Sequence, residues 1–164
     1  MAVSKQSYRD AMARLGAAVN VITTDGPGGR CGFTASAVCS VTDTPPTLLV
    51  CVNRTNDSYA PLKANRVLCV NTLAGAHEDI STIFAGLTEH EASARFDRGN
   101  WQTLSTGSPV LADATVAFDC RMTESVEIGT HTVFFCEVEA IQIGEVRDTL
   151  IYYERSYHRL IYRE

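Results

Sequence analysis

Hydrophobic side chains alternate with polar ones over much of the chain, and this two-residue period predicts β-strands. The strand-like segments are 19–24, 30–41, 47–52, 67–73, 114–126, 132–143 and 150–153. The Gly- and Pro-rich segment 25–29 joins the first two as a hairpin, and 43–46, with two adjacent prolines, ends the second. The two longest strands are joined across 127–130. The pattern therefore predicts a mainly β fold.

Helical spacing of apolar residues is confined to three short segments. The first is N-terminal, between Ser7 as a candidate N-cap and Gly16 as a stop, and two more are predicted at 59–65 and 78–86. The apolar positions of the first helix are Tyr8, Ala11, Met12 and Leu15. Those expected on the inner face of the last are Ile80, Ile83, Phe84 and Leu87. We expect the mixed, charged segment 89–107 to be a surface excursion.

Six or seven strands with few, peripheral helices favour a closed antiparallel barrel, because strands and helices do not alternate as in a doubly wound sheet. No repeat, linker or low-complexity tract divides the chain, so we expect residues 1–164 to form a single domain. The glycines of 25–29 match neither the GxGxxG nor the GxxxxGK[ST] pattern, which favours a hairpin over a phosphate loop. A nicotinamide enzyme of the Rossmann type is disfavoured on both grounds.

Charge and hydropathy restrict the partners. The 164 residues contain 14 Lys and Arg against 19 Asp and Glu, a net charge of −5, which argues against a general nucleic-acid binder. An anionic ligand would therefore need a local basic pocket. The apolar runs fall far short of the roughly 20 residues of a membrane span, and the N-terminus is polar. We expect a cytoplasmic protein without a membrane partner.

The six cysteines show no CxxC pair, so neither zinc-site nor thioredoxin-type spacing is present. Five of them have apolar neighbours and are expected to be reduced, buried packing residues: Cys39, Cys51, Cys69, Cys120 and Cys136. Cys31 follows Arg30 and is the candidate for a more reactive thiol.

Several segments together resemble the short-chain flavin reductases that accompany two-component monooxygenases. They are 16–24, 32–46, 68–73, 84–86, 95–96, 129–131 and 156–158, so the resemblance covers nearly the whole chain. It implies an FMN-binding split β-barrel, antiparallel and Greek-key-like, that forms a homodimer. It also implies that NADH, or NADPH, reduces FMN or FAD, and that the reduced flavin diffuses to a partner monooxygenase.

The resemblance places the flavin ring on a segment in which small apolar and hydroxyl residues alternate. Its candidate cofactor-binding residues are Thr34, Ala35, Ser36, Ala37 and Ser40. Small side chains let a flat ring approach the backbone, which can supply donors and acceptors for its polar edge. The same composition is ordinary for a strand when taken alone.

A second candidate segment runs from a strand end into a polar loop and a helix start, where free N–H groups and a guanidinium can hold a phosphate. Its residues are Cys51, Val52, Asn53, Arg54 and Ser58. Asn53 and Ser58 are equally consistent with a turn residue and an N-cap. The resemblance also brings Phe84, Ala85 and Gly86 close to the flavin, although Gly86 is explained as a helix C-cap as well.

The nicotinamide site is assigned by the resemblance to Gly129 and His131, with His131 as the candidate catalytic residue. Thr130 stands where the family often has Asp, so hydrogen bonding around the imidazole is expected to differ. The C-terminal Tyr157 and His158 resemble the aromatic-His tail that borders the nicotinamide or the flavin. A structural role remains open for each of these residues. The other two histidines, at 77 and 90, are expected in solvent-facing loops.

Other chemistries find little support in the sequence. Glu137 and Glu139 share one strand face, which suits a solvated surface better than a glycosidase pair. No GxSxG elbow is present, and no metal site is expected. Two alternatives to the reductase stay open: a flavin-binding barrel that acts as a carrier or sensor without turnover, and a flavin oxidase of an organic substrate. FMN against FAD and NADH against NADPH are not decided.

Overall fold

The computed structural model describes residues 2–88 and 93–163. Its helices are α1 Lys5–Ala13, α2 Tyr59–Asn65, α3 Glu78–Phe84 and a 3₁₀-helix Ser93–Asp97. Its strands are β1 Ala17–Ala18, β2 Asn20–Thr24, β3 Cys31–Ala35, β4 Val38–Asp43, β5 Pro46–Asn53, β6 Val67–Thr72, β7 Trp101–Thr103, β8 Pro109–Leu111, β9 Val116–Ile128, β10 His131–Ile143, β11 Thr149–Tyr153 and β12 Ser156–Leu160. The sequence pattern did not predict β1, β7, β8 and β12 as separate strands.

The main sheet has seven strands in the order β3-β2-β6-β9-β10-β5-β4, and every neighbouring pair is antiparallel. β3 and β4 form its two edges, yet only Ser36 and Ala37 separate them along the chain. Three extended residues span at most about 10 Å, so the sheet must curl until its edges approach each other. In the link between these two edges, the Ala37 carbonyl accepts a hydrogen bond from the Cys51 amide at 3.0 Å. The prediction of a mainly β, split antiparallel barrel is confirmed.

The prediction of one continuous strand over 30–41 is wrong. Ser36 and Ala37 leave the sheet, so β3 pairs with β2 while β4 pairs with β5 on the opposite edge. A run of alternating residues does not reveal on which side of a barrel its second half will pair, because both halves keep the same period.

The two predicted hairpins are present. Asn65 of α2 secures the β2–β3 turn, since its side-chain oxygen accepts from the Gly28 amide and its nitrogen donates to the Gly29 carbonyl at 2.9 Å. The β9–β10 turn is tighter than expected and contains only Gly129 and Thr130 between the strands. Gly129 has a φ of +57°, a conformation that favours glycine.

Two apolar clusters form the core. The first fills the barrel and includes Ile22, Phe33, Val50 and Phe134. The second lies between the barrel and the elements outside it. It contains Val19, Val21, Leu73, Ile80, Ile83, Phe84, Phe96, Leu111, Ala114 and Leu150. This second cluster packs α3 and the C-terminal hairpin β11–β12 against the barrel.

The second cluster corrects two expectations about 78–107. Phe96 is buried and Trp101 packs beside it, with 5.1 Å between ring centroids, so the described part of this segment is not only a surface excursion. Leu87 is 72% exposed instead of facing inward. Gly86 has a φ of +72° and turns the chain away before Leu87 can continue the helix.

The N-terminal helix α1 forms as predicted, but Ser4 rather than Ser7 is its N-cap, and the Ser4 hydroxyl accepts from the Ser7 amide at 3.0 Å. No residue of α1 is buried. On its apolar side, Tyr8 is 60% exposed, and Leu15 just beyond the helix is 63% exposed. The expected apolar face therefore exists, but this chain alone does not cover it.

Three cysteines are buried as expected, at 69, 120 and 136, whereas Cys39 is exposed and Cys51 is half-buried. β4 is an edge strand of a curled sheet, so its outward side chains face solvent. The reactivity suggested for Cys31 finds no support, because burial raises the pKa of its thiol.

His77 is buried rather than solvent-facing. Its Nδ1 accepts from the Ala74 amide at 3.2 Å and its Nε2 lies 3.1 Å from the Asp113 carboxylate, at the start of α3. His90 lies outside the described residues. Within 2–88 and 93–163, no helix is long and apolar enough to cross a membrane.

Candidate active site

β3 brings the first candidate residues against α3. The Thr34 hydroxyl donates to the carbonyl of Ser81 at 2.7 Å. Two residues earlier on the same strand face, a Cβ at Gly32 would lie 2.9 Å from the Phe84 ring and from the Ile22 carbonyl. Only glycine therefore lets α3 pack this closely on the strand, and this packing fixes the height of Thr34 above the sheet.

Ser81 also connects β3 to the C-terminal hairpin. It is fully buried, and its hydroxyl donates to the Tyr157 hydroxyl at 2.8 Å. Thr34 and Tyr157, which are distant in sequence, are thus held by neighbouring atoms of one residue. The sequence argument did not identify Ser81, because a serine inside a short helix carries no distinctive signal.

A second set of candidates lies at the open edge of β3. The Gly32 carbonyl accepts from the Ser58 hydroxyl at 3.4 Å and from Nη1 of Arg95 at 3.4 Å. Nη2 of Arg95 lies 3.5 Å from the place a Cβ on Gly86 would occupy. The predicted residues Ser58 and Gly86 therefore meet at the guanidinium of Arg95, a residue missing from the predicted site.

Arg95 is the most informative of these residues. Its Nε is buried and has no hydrogen-bond partner within the described part of the chain, and no carboxylate there forms an ion pair with it. Arg95 as a whole is half-buried and its Nη1 bonds to the Gly32 carbonyl, but a buried N–H group without an acceptor is costly, so the guanidinium favours an anionic ligand at this point. Arg95 belongs to the segment 95–96 that resembles the flavin reductases, and this was the available signal.

Arg54, the guanidinium predicted to hold a phosphate, is already engaged. It bonds to the Glu127 carboxylate at 2.8 Å and to the Gly129 carbonyl. The Asn53 side chain accepts from the Thr55 amide at 3.0 Å, which is the turn role left open by the sequence. Ser58 precedes α2 but makes no side-chain capping bond.

His131 opens β10 beside these residues. It is exposed and lies opposite Asn53 on β5 and Ile128 on β9. The Thr130 hydroxyl lies 2.9 Å from its Nδ1. The residue that stands in place of Asp therefore does contact the imidazole, and within the described part of the chain no hydrogen bond engages Nε2.

A third set of candidates lines a cavity of about 1400 Å³ beside β4, β5 and α1. Of the candidates, its lining includes Ser36, Ala37, Ser40 and Cys51. Ser36 and Ala37 form the exposed β3–β4 link, so they lie between this cavity and the open edge of β3. The cavity also reaches Met12 and Leu15.

The side chains of the remaining candidates form none of the hydrogen bonds described above. The side chains of Val52 and Phe84 lie in the two cores, so only their backbones could contact a ligand. Ala35 packs against the barrel core, and Ala85 is exposed at the end of α3. His158 is exposed, and its Nε2 lies 3.2 Å from the Tyr153 carbonyl within its own hairpin. Within the described residues, no hydrogen bond or ring contact joins His158 to His131.

This geometry agrees with comparisons to known proteins. The model of the flavin reductase like domain matches residues 12–160. The chain belongs to this family. It is 59% identical over 157 residues to a protein of Ancylobacter novellus named FMN reductase (NADH) RutF, covering 96% of this chain and 86% of that relative. A relative with the same name from Pantoea ananatis is 58% identical over 160 residues, covering 98% and 83%.

A solved structure supports the same assignment. The flavin reductase PheA2 is 30% identical with a TM-score of 0.88, and the match covers 98% of this chain and 100% of that one. The quoted segments predict a particular resemblance to the reductase of the pyrimidine-utilisation pathway and, after it, to the reductase component of 4-hydroxyphenylacetate 3-monooxygenase. The relatives named RutF confirm the first of these resemblances.

Proposed function

We propose that this flavin reductase transfers a hydride from NADH to FMN or FAD and releases reduced flavin to a flavin-dependent monooxygenase. The observation that carries the proposal is Arg95 beside Ser58 and Gly86, because its buried Nε has no hydrogen-bond partner among residues 2–88 and 93–163. Relatives that are 59% and 58% identical are named FMN reductase (NADH), which supports the activity and the choice of NADH.

The residues present fit a flavin. Arg95 and Ser58 would hold the phosphate, since a guanidinium and a hydroxyl at one point suit a phosphate oxygen. The ring would lie along Thr34, Ala35, Ser36, Ala37 and Ser40, with the backbone of Cys51 beside it. Bound flavin supplies the hydride acceptor, and the protein contributes position and electrostatics.

His131 would orient the nicotinamide. This exposed residue lies where β9 turns into β10, and the Thr130 hydroxyl contacts its Nδ1. A hydride transfer requires the donor carbon and the acceptor nitrogen to be held roughly 3–3.5 Å apart, and it requires no proton from the histidine. Tyr157, fixed by Ser81, would border the same site from the C-terminal hairpin, with His158 next to it.

We also propose that the protein is a homodimer and acts in the cytoplasm as one domain. The uncovered side of α1, with Tyr8, Met12 and Leu15, borders the large cavity and offers an apolar surface to a second copy. Light scattering should report twice the chain mass, and a fully active monomer would contradict this assembly.

The activity is tested by NADH oxidation at increasing concentrations of free flavin, without oxygen and without any organic substrate. The expected rate rises with flavin and saturates, and filtration recovers reduced flavin in the protein-free filtrate. Retention of the flavin without turnover would favour a carrier or sensor. In a separate assay without NADH, reduction of the flavin by an added organic compound would favour an oxidase.

A further inference from the structure

Arg30 lies immediately before β3, on the strand face that carries Gly32 and Thr34. Each of these three positions contacts an element outside the barrel. Thr34 bonds to Ser81, and Gly32 packs against the Phe84 ring. The Arg30 guanidinium lies 4.1 Å from the centre of the Phe96 ring. Arg30 therefore lies two residues along the strand from Gly32, whose carbonyl marks the proposed phosphate position.

Arg30 is exposed, and within the described residues no carboxylate forms an ion pair with it. Stacking on an aromatic ring holds a guanidinium flat and leaves its N–H groups free for a ligand. Phe96 follows Arg95 directly in the chain, so Arg30 contacts the residue next to Arg95, and neither arginine forms an ion pair within the described residues of this protein of net charge −5.

The direction of β3 orders these groups. In the proposed function, the flavin ring lies along 34–37 and its phosphate lies at Gly32, where Ser58 and Arg95 meet. From Gly32 towards the N-terminus of β3, Arg30 is two residues further, a distance of roughly 6.6 Å in an extended chain. FMN ends at its single phosphate, whereas FAD continues with a second phosphate and an adenosine.

We infer that Arg30 binds the outer phosphate of FAD, so that the site discriminates between the two flavins by this residue. The inference rests on the proposed function, because it extends the phosphate end of that site. Arg95 serves both flavins, and Arg30 contributes only when a diphosphate is present. A partly exposed contact between a guanidinium and a phosphate gives a modest gain in affinity.

The test compares dissociation constants of FMN and FAD for the wild-type protein, Arg30→Gln, Arg30→Lys and Lys63→Gln. Quenching of the single tryptophan, Trp101, reports binding because this ring packs on Phe96. Lys63 is an exposed cation on α2 and controls for the general loss of one positive charge.

For Arg30→Gln we expect FAD binding to weaken roughly threefold to tenfold, with FMN binding unchanged, partial recovery in Arg30→Lys and no effect of Lys63→Gln. Equal weakening of both flavins, or no change in either, overturns the inference while leaving the reductase proposal intact. A raised KM for NADH with an unchanged FAD-to-FMN ratio also overturns it, because the diphosphate at Arg30 would then belong to NADH. Failure of the wild-type protein to bind either flavin refutes both proposals.

Discussion

Replacing Arg95 by methionine should remove most of the affinity for the phosphate end of a flavin without unfolding the protein. Methionine keeps much of the length of the side chain and removes the charge. The guanidinium has one weak bond at 3.4 Å to the Gly32 carbonyl, and its buried Nε has no partner in the described chain. The free protein therefore loses little, and its melting temperature should stay the same or rise.

The expected loss of affinity follows from the bonds that a phosphate would make. A hydrogen bond to a charged group contributes about 1.5–3 kcal/mol, which corresponds to roughly a tenfold to 150-fold increase in the Kd for FMN. Riboflavin has no phosphate, so its Kd should change less than about twofold. Titrations that follow Trp101 emission measure both ligands in the same protein.

Arg54→Met is the matched comparison, because Arg54 is bound to Glu127 and to the Gly129 carbonyl. Its loss should weaken FMN binding much less than the loss of Arg95. The reasoning fails if Arg95→Met leaves FMN binding unchanged, if it weakens riboflavin equally, or if Arg54→Met has the larger effect.

Three further predictions concern other parts of the chain. His131→Ala should lower kcat/KM for NADH about tenfold, roughly 1.4 kcal/mol of transition-state stabilisation, in stopped-flow assays; an unaltered hydride-transfer rate would make it structural. Cys39 is exposed and should react first with a thiol reagent at pH 8, whereas burial raises the pKa of Cys136 to about 12 and should keep it unreactive until unfolding. Arg159 holds the pKa of Asp148 below its ordinary 3.8, so the pair stabilises the fold above that pH and loses this effect as pH falls through the lowered pKa. Asp148→Asn should therefore lower the melting temperature at pH 7 but not in strong acid, and an equal difference at both would contradict the assignment.

The strands and helices with a clear period were predictable from the sequence. α2 begins and ends at the predicted residues, β5 extends one residue beyond the prediction at each end, and β6 ends one residue earlier. Periodicity failed where the chain changes partner, as at Ser36 and Ala37, because pairing across a barrel is a tertiary property. It also failed for Leu87, where one glycine redirects the chain after α3.

The candidate site was predictable as segments rather than as a set of contacts. The resemblance identified the segments that contain Thr34, Ser58 and Gly86, and the structure brings these three to one edge of β3. It could not show that Arg54 is engaged by Glu127 while Arg95 is not, since ion pairing depends on which chains meet in space. For the same reason, the sequence did not identify Ser81, whose role depends on its hydrogen bonds to Thr34 and Tyr157.

A crystal structure of the protein with FMN tests the central claim most directly. The account predicts one flavin per chain, with a phosphate oxygen within hydrogen-bonding distance of the Arg95 guanidinium and of the Ser58 hydroxyl, and with the ring along 34–37. A phosphate bound instead at Asn53 and Arg54, or a flavin held wholly within the cavity beside α1, would contradict it.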